Sequence, residues 1–425
     1  MIDTLRSYFI KDYSWIPSQM PHHSFPQIAG KLLLKHELLF TEKEISSFVE
    51  ASVLTEISSV EKYWWGYRCR RCGNQQKDLF AEMPHHSCET PCVYCRYCIQ
   101  MGRVLECEPL YFGSPHVEWP KYESPCEWEG SLTFHQQLAA NEIKQLVTTG
   151  HGEKLIWAVC GAGKTEMLFP GIKEALQTGK RICLATPRTD VVRELVPRFQ
   201  QAFPEVNIAA LYGDSEDKTG AASFVIATTH QLYRFAHAFD VIIIDEIDAF
   251  PFHNDSSLHF AVGRAAKEDA ARIYLTATPR KAQKKRIRKK SLPAVFIPKR
   301  FHGCPLPVPK LQLTPTLHRH LKRNRLPRSI IEKISFQQKS SRQLLIFLPS
   351  KQKAEMIADY LKSISYNVEF VHADDPIRAE KVSAFRQKEY NILITTTILE
   401  RGVTFPSVDV YVIDAGHELF DEPAL

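Results

Sequence analysis

Leu155-Ile-Trp-Ala-Val-Cys160-Gly161-Ala162-Gly163-Lys164-Thr165 joins an apolar run to a turn of small residues, and Lys164 and Thr165 stand where a helical pattern begins. Residues without bulk at Gly161, Ala162 and Gly163 let backbone N–H groups wrap an anion at a helix N-terminus, so Cys160 to Thr165 reads as a phosphate cradle. Lys164 can reach the β and γ phosphates of a nucleotide, and the Thr165 hydroxyl can ligate Mg²⁺. A bare glycine turn between strand and helix would not need the Lys-Thr pair. The strict phosphate-loop pattern has glycine at position 158, where this chain has Ala158, which weakens the pattern match and leaves the chemistry intact.

Outward from the loop, strands alternate with helices from residue 121 onward, the signature of an α/β fold with a parallel sheet covered on both faces. Val241-Ile-Ile-Ile-Asp245-Glu246-Ile-Asp248 is an apolar strand that delivers carboxylates to its tip. Asp245 is placed to hold Mg²⁺ opposite Thr165, and Glu246 to orient and deprotonate an attacking water, which makes Lys164, Asp245 and Glu246 the candidate catalytic set for ATP hydrolysis. Ligands of open parallel sheets gather at the carboxyl ends of the strands. Thr186 and Arg188, after the strand from Lys180, and Thr228 and Thr229, in the strand from Phe224, are therefore candidates to grip a nucleic-acid backbone. Thr276-Ala-Thr-Pro279 ends the strand from Arg272 in a hydroxyl-rich turn suited to sensing the γ-phosphate.

Composition bounds the rest. The 425 residues carry a net charge of +6, with 44% hydrophobic and 24% charged residues, the balance of an ordinary soluble protein of two or three domains. No run approaches the roughly 18 apolar residues of a membrane span, and Met1 to Arg6 lacks the apolar region of a signal peptide, so a cytoplasmic location is expected. Eleven cysteines in such a chain point to metal or burial rather than disulfides, and seven of them fall between Cys69 and Cys107. Cys69-Arg-Arg-Cys72-Gly73 reads as a zinc knuckle, and Cys88, Cys92, Cys95 and Cys98 offer more thiolates than its partner needs. The choice is Cys69, Cys72, Cys95 and Cys98, with 22 residues between the two Cys-x2-Cys pairs as in a zinc ribbon, and Cys92 in reserve for Cys98. Arg280 to Lys290 holds eight basic residues in eleven, and reads equally as a lining for a DNA path or a mobile loop.

Gly-Ala-Gly-Lys-Thr, Thr-Pro-Arg, Asp-Glu-Ile-Asp and Thr-Ala-Thr-Pro, in this order, resemble motifs I, Ia, II and III of superfamily 2 helicases and translocases, over residues 130 to 415. With the cysteine module in front, the chain is similar to the ComFA family of competence-associated helicase-like ATPases, and more distantly to the replication-restart helicase PriA. The resemblance implies two RecA-like domains, ATP with Mg²⁺ and Zn²⁺, and a motor that drives single-stranded DNA through a membrane uptake channel beside cytosolic competence proteins, peripheral to the membrane and compatible with a homo-oligomer. It marks Gln136, in Leu132-x3-Gln136, as the adenine reader. It marks Thr396 and Thr397, in a stretch like motif V, as phosphate contacts. The helix carrying motif VI and its arginine finger should follow, yet no arginine occurs after Arg401. Slow hydrolysis, an arginine from another subunit, or a longer natural chain is the expectation, with Arg401 as a candidate substitute.

The expected organisation is a leader at 1–60, the zinc module at 61–120, a nucleotide-binding domain at 121–300 and a second lobe at 301–425. Two other functions are compatible with these residues: a PriA-like helicase that opens duplex DNA, and a zinc-dependent assembly module with a weakened ATPase.

Overall fold

The computed structural model describes residues 13–17, 19–85, 88–303, 307–399, 405–417 and 420. It divides into two compact units, Met1–Leu306 and Pro307–Leu425. The α/β expectation holds in both. The first contains a seven-stranded parallel sheet in the order Ile208–Leu211, Phe224–Thr228, Ile182–Thr186, Phe239–Ile244, Ala266–Thr276, Gly152–Ala158, Ala294–Ile297. The second contains a parallel sheet ordered Val368–Val371, Ile392–Thr395, Gln343–Phe347, Val408–Val412. Central strands such as Val241 to Ile244 are apolar at every position because helices cover both faces, and all four residues are buried.

The phosphate loop ends one strand of the large sheet and the Asp-Glu pair another, both at the carboxyl edge, with Ala266–Thr276 between them. Gly163 takes a left-handed φ of 73° and the helix Lys164–Gln177 starts directly after it. A side chain at that position would be strained by the backbone and would meet the Gln136 amide, which explains the glycine.

Residues before the helicase-like region form three small antiparallel sheets. Leu32–Leu33, Leu110–Gly113 and Leu54–Ile57 make one, so the first sixty residues supply two of its strands. Val60–Tyr63 and Gly66–Cys69 make a hairpin, and Phe80–Met83, Cys92–Cys95 and Val104–Leu105 make the third. These sheets do not float. Lys31 bridges Phe235, the buried Arg181 and Arg264 bond carbonyls on both sides, and the buried Arg71 braces the small-sheet region itself. Arg181 donates to the carbonyls of Ala29 at 2.7 Å and Gly220 at 2.9 Å, and its guanidinium lies 4.3 Å from the Trp119 ring. Arg71 meets both Glu37 oxygens at 2.8 Å and the Met101 carbonyl at 2.8 Å. Arg264 donates to the carbonyls of Phe235 at 3.0 Å, Tyr233 at 2.7 Å and Arg70 at 3.0 Å, and to that of Arg71. Burial opposes ionisation of Glu37, but Arg71 and Arg234 outweigh it and hold its carboxyl below the usual range.

Two expectations change. The basic run contains a helix, Lys281–Arg288, where a mobile loop was one of the alternatives, and Arg286 pairs with Glu153 at 2.6 Å. The stretch from Pro120 to Pro125, which its prolines mark as a linker, is docked on the sheet domain, with the Tyr122 amide bonded to the Leu176 carbonyl at 3.2 Å.

Arg264→Met should leave four carbonyls without their charged donor. We expect a loss of at least about 3 kcal/mol, read as an earlier midpoint in urea unfolding and faster proteolysis within residues 60–110. An unchanged midpoint would show that the staple contributes nothing.

Candidate nucleotide site and metal centre

The nucleotide site is assembled from four strand ends. Strand Gly152–Ala158 runs into the loop, where Gly161 also has a positive φ of 74°. Lys164 Nζ lies 3.6 Å from Asp245 Oδ1 and keeps 21% of its side chain exposed. Burial works against the charge on Lys164, but Asp245 and Glu246 outweigh it and raise its pKa, so the ammonium is secure at neutral pH. Asp245 is aimed by its neighbour, since the Glu246 amide donates to Asp245 Oδ1 at 2.9 Å. Glu246 itself sits in left-handed backbone at φ 53°, a conformation an L-residue adopts only when its surroundings impose it.

Gln136 uses both ends of its amide inside this network. Its Oε1 accepts the Thr133 amide at 2.8 Å, closing a capping box on the helix Phe134–Thr149, and its Nε2 donates to the Ala162 carbonyl at 2.8 Å. It thereby ties a helix start to the cradle. Asp248 was quoted in the acidic run but given no task by sequence reasoning. It is buried and accepts the hydroxyls of Thr276 and Thr278, while its carbonyl accepts Arg280 Nε at 3.2 Å. The hydroxyls spaced i, i+2 in Thr276-Ala-Thr278 were the available signal. Arg300 was also missed. Its Nε lies 3.1 Å from where a Cβ on Gly161 would be, and the Phe301 amide donates to the Gly161 carbonyl at 3.0 Å.

The proposed nucleic-acid residues divide by exposure. Thr186, Thr228, Thr229 and Thr396 are buried, and the hydroxyls of Thr186 and Thr229 have no hydrogen-bond partner among the described residues. Arg188 is partly exposed and lies 3.8 Å from Asp190, and Thr397 is half-buried on a short turn, Thr397–Leu399. Arg401 lies outside the described residues. Cys160 is exposed on the loop.

The structure brings together Cys69, Cys72, Cys95 and Cys98, all buried. Cys69 Sγ is 3.8 Å from Cys98 Sγ, and Cys72 Sγ is 3.6 Å from Cys95 Sγ. A zinc–thiolate bond of about 2.3 Å gives a tetrahedral edge of about 3.8 Å, so the four sulfurs have the spacing of a Cys₄ cage that could hold zinc. The Asn74 amide donates to Cys95 Sγ at 3.8 Å, an outer-shell contact. Gly73 is required twice: its φ is 75°, and a Cβ there would fall within 3 Å of the Phe260 ring. Cys92, held in reserve on spacing, is at the opposite end of its strand from Cys95 and lies outside this cage.

Comparison with known proteins agrees with this division of the chain. The family described as Competence protein ComFA N-terminal domain matches residues 19–112. The res subunit of type III restriction enzymes matches 129–281, and the helicase conserved C-terminal domain matches 322–418. The Competence protein ComFA of Bacillus subtilis (strain 168) is 43% identical over 398 residues, covering 94% of this chain and 85% of the relative. The Streptococcus pneumoniae protein of the same name is 38% identical, covering 91% and 87%. A solved structure of S. cerevisiae Dbp5 bound to RNA and ADP BeF3 is 16% identical, covers 67% of this chain and 79% of its own, and has a TM-score of 0.48. The helicase domains imply ATP with Mg²⁺ as the working nucleotide. Among the described residues no helix is long and apolar enough to cross a membrane.

Gln136→Ala should loosen the cradle without unfolding the sheet. We expect roughly tenfold weaker binding of a fluorescent ATP analogue with the melting curve nearly unchanged, the equivalent of one lost hydrogen bond. Unaltered affinity would mean that the loop is positioned by other contacts.

Proposed function

The chain belongs to the ComFA family, and from that premise we propose that it is a DNA-stimulated ATPase that moves single-stranded DNA inward during natural competence. The approach of Lys164 to Asp245, 3.6 Å across the carboxyl edge of a parallel sheet, carries this reading, because a cation and an acidic pair at a phosphate cradle are the parts of a nucleotide hydrolase. Lys164 and the amides of Gly161 to Gly163 would hold the phosphates. Thr165 and Asp245 would hold Mg²⁺, which when bound neutralises charge on the transferred phosphoryl group. Glu246 would take the proton of the attacking water. Gln136 would set the cradle and, through it, the approach of the adenine.

Asp248 supports a coupled motor. It joins the strand that carries Asp245 to the Thr276–Thr278 turn, so a displacement of either reaches the other through two hydroxyl bonds. For DNA, Arg188 and Thr397 offer partly exposed side chains, while the buried Thr186, Thr228, Thr229 and Thr396 would present peptide groups. Trp64 adds a stacking surface at the tip of the hairpin Val60–Tyr63/Gly66–Cys69. It is 96% exposed, and the neighbouring rings of Tyr63 and Trp65 stack at 5.0 Å. The four-cysteine cage would hold one Zn²⁺ and fix this hairpin to its neighbours. A membrane channel and cytosolic competence proteins are the partners such a motor needs, with the chain peripheral on the inner face.

The test is ATP turnover with and without single-stranded DNA. Turnover should rise with DNA, Lys164→Ala should lose nucleotide binding, and Glu246→Gln should bind ATP but turn over roughly 10²-fold more slowly. Turnover indifferent to DNA would sink the motor reading. Trp64→Ala should weaken single-stranded DNA binding about tenfold, in fluorescence anisotropy, with DNA-free turnover unchanged.

A further inference from the structure

The cage accounts for four of the seven cysteines between Cys69 and Cys107, and the other three are not scattered. The ligand atoms of Cys88 and Cys107 lie within 4.8 Å of each other, and Cys92, at the end of the strand Cys92–Cys95, accepts the Cys107 amide on its Sγ at 3.3 Å. The reason lies in the strand period. Cys92 and Cys95 are three residues apart, so they project from opposite faces, and one strand cannot deliver both to one cage.

His85 joins them. The ligating atoms of His85, Cys88 and Cys107 lie within 4.8 Å of one another. His85 Nδ1 is 3.7 Å from Cys88 Sγ and 3.5 Å from Cys107 Sγ. A tetrahedron with zinc–sulfur bonds of about 2.3 Å and a zinc–nitrogen bond of about 2.0 Å has a sulfur–nitrogen edge of about 3.6 Å. Both distances match that edge.

The backbone is built for it on each side. His85-x2-Cys88 closes as a knuckle through a bond from the Cys88 amide to the His85 carbonyl at 3.0 Å. The Glu106 amide extends the ladder to the Val93 carbonyl at 2.8 Å, which brings Cys107 beside Cys92, and the Cys107 amide donates to Cys92 Sγ at 3.3 Å. His85 Nε2 lies 3.7 Å from a Glu108 oxygen, the carboxylate–imidazole arrangement that orients a metal-bound histidine.

We propose that His85, Cys88, Cys92 and Cys107 form a second Zn²⁺ site, of one imidazole and three thiolates, separate from the Cys₄ cage. Binding converts three thiols to thiolates and releases three protons to solvent. With four protein ligands the site is closed, so its work is structural: it pins the connection between Phe80–Met83 and Cys92–Cys95 to the segment that follows Val104–Leu105. The proposal does not depend on the motor reading.

The experiment is metal content of the full chain, purified under reducing conditions from zinc-replete cells and without chelator. Wild type should carry about two zinc ions per chain. Cys88→Ser/Cys107→Ser should carry about one, and Cys72→Ser should lose the cage ion while keeping the other. Cobalt substitution of the wild-type chain supplies a readout that no variant's folding can spoil, because a mixed one-nitrogen, three-sulfur centre adds its own ligand-field bands to those of a four-sulfur centre. One zinc per wild-type chain, unchanged in Cys88→Ser/Cys107→Ser, would overturn the proposal. So would a Cys88–Cys107 disulfide in alkylated, unreduced wild-type protein analysed by mass spectrometry.

Discussion

The guanidinium of Arg264 is the contact on which the first unit depends. It lies at the end of the helix Ser256–Ala265, which follows the acidic run by a few residues, and its donors reach the carbonyls of Arg70 and Arg71 between the knuckle cysteines. Burial lowers its pKa to about 10, still far above neutrality, so a full positive charge sits in the interior with carbonyl oxygens for partners. A desolvated charge tolerates little displacement of those partners. The same helix presents Phe260 to Gly73, which has no Cβ to keep the ring away. The turn that carries Cys69 and Cys72 is thus seated on an element continuous with Asp245 and Glu246.

The edge that carries the phosphate loop shows how a parallel sheet turns sequence distance into proximity. Residues 164, 245 and 276 belong to three strand ends, and every strand points the same way, so their ends share one rim. The positive φ at Glu246 belongs with this arrangement. Its amide turns back onto Asp245 Oδ1, which fixes the first carboxylate while the chain leaves the sheet. Asp248 then returns to the next strand end through Thr276 and Thr278.

Local features were legible in the sequence and long-range polar ones were not. The phosphate cradle, the acidic strand and the paired Cys-x2-Cys turns are contiguous patterns whose chemistry follows from adjacent residues, and the structure brings each together. The central strands of the large sheet followed from their apolar runs, whereas its edge strands, Ile208–Leu211 and Ala294–Ile297, and the order of the strands did not. Nothing local in the sequence marks Arg71, Arg181 and Arg264 for burial, and the carbonyls that Arg181 meets lie as far away as Ala29 and Gly220. Gln136 was read for a ligand contact because its neighbours resembled a motif, whereas its donor finds Ala162 across the cradle. Cys92 was held in reserve for the cage by counting residues, and the alternation of the strand sends it elsewhere. The basic run hid a helix because lysine and arginine are good helix formers, and its charge drew attention from that propensity.

The joint between the cysteine-bearing sheets and the nucleotide-binding sheet combines an apolar core, in which Leu32, Leu34 and Phe112 share one cluster with Phe235, Phe239 and Leu258, with directional bonds. An apolar patch can slide at little cost, since burial is roughly proportional to area and blind to register. Arg181 and Arg264 instead fix particular carbonyls on both sides, and a shift of one residue would strand two buried charges. Lys31 adds to this. Its ammonium position lies 3.8 Å from the centre of the Phe235 ring, and burial, followed by the nearby Arg181 and Arg234, drives its pKa well below the lysine range. The bonds of Arg181 to Ala29 and of Arg264 to Arg70 and Arg71 thus tie the segment before the first small sheet and the knuckle turn to the domain that carries the Asp-Glu strand.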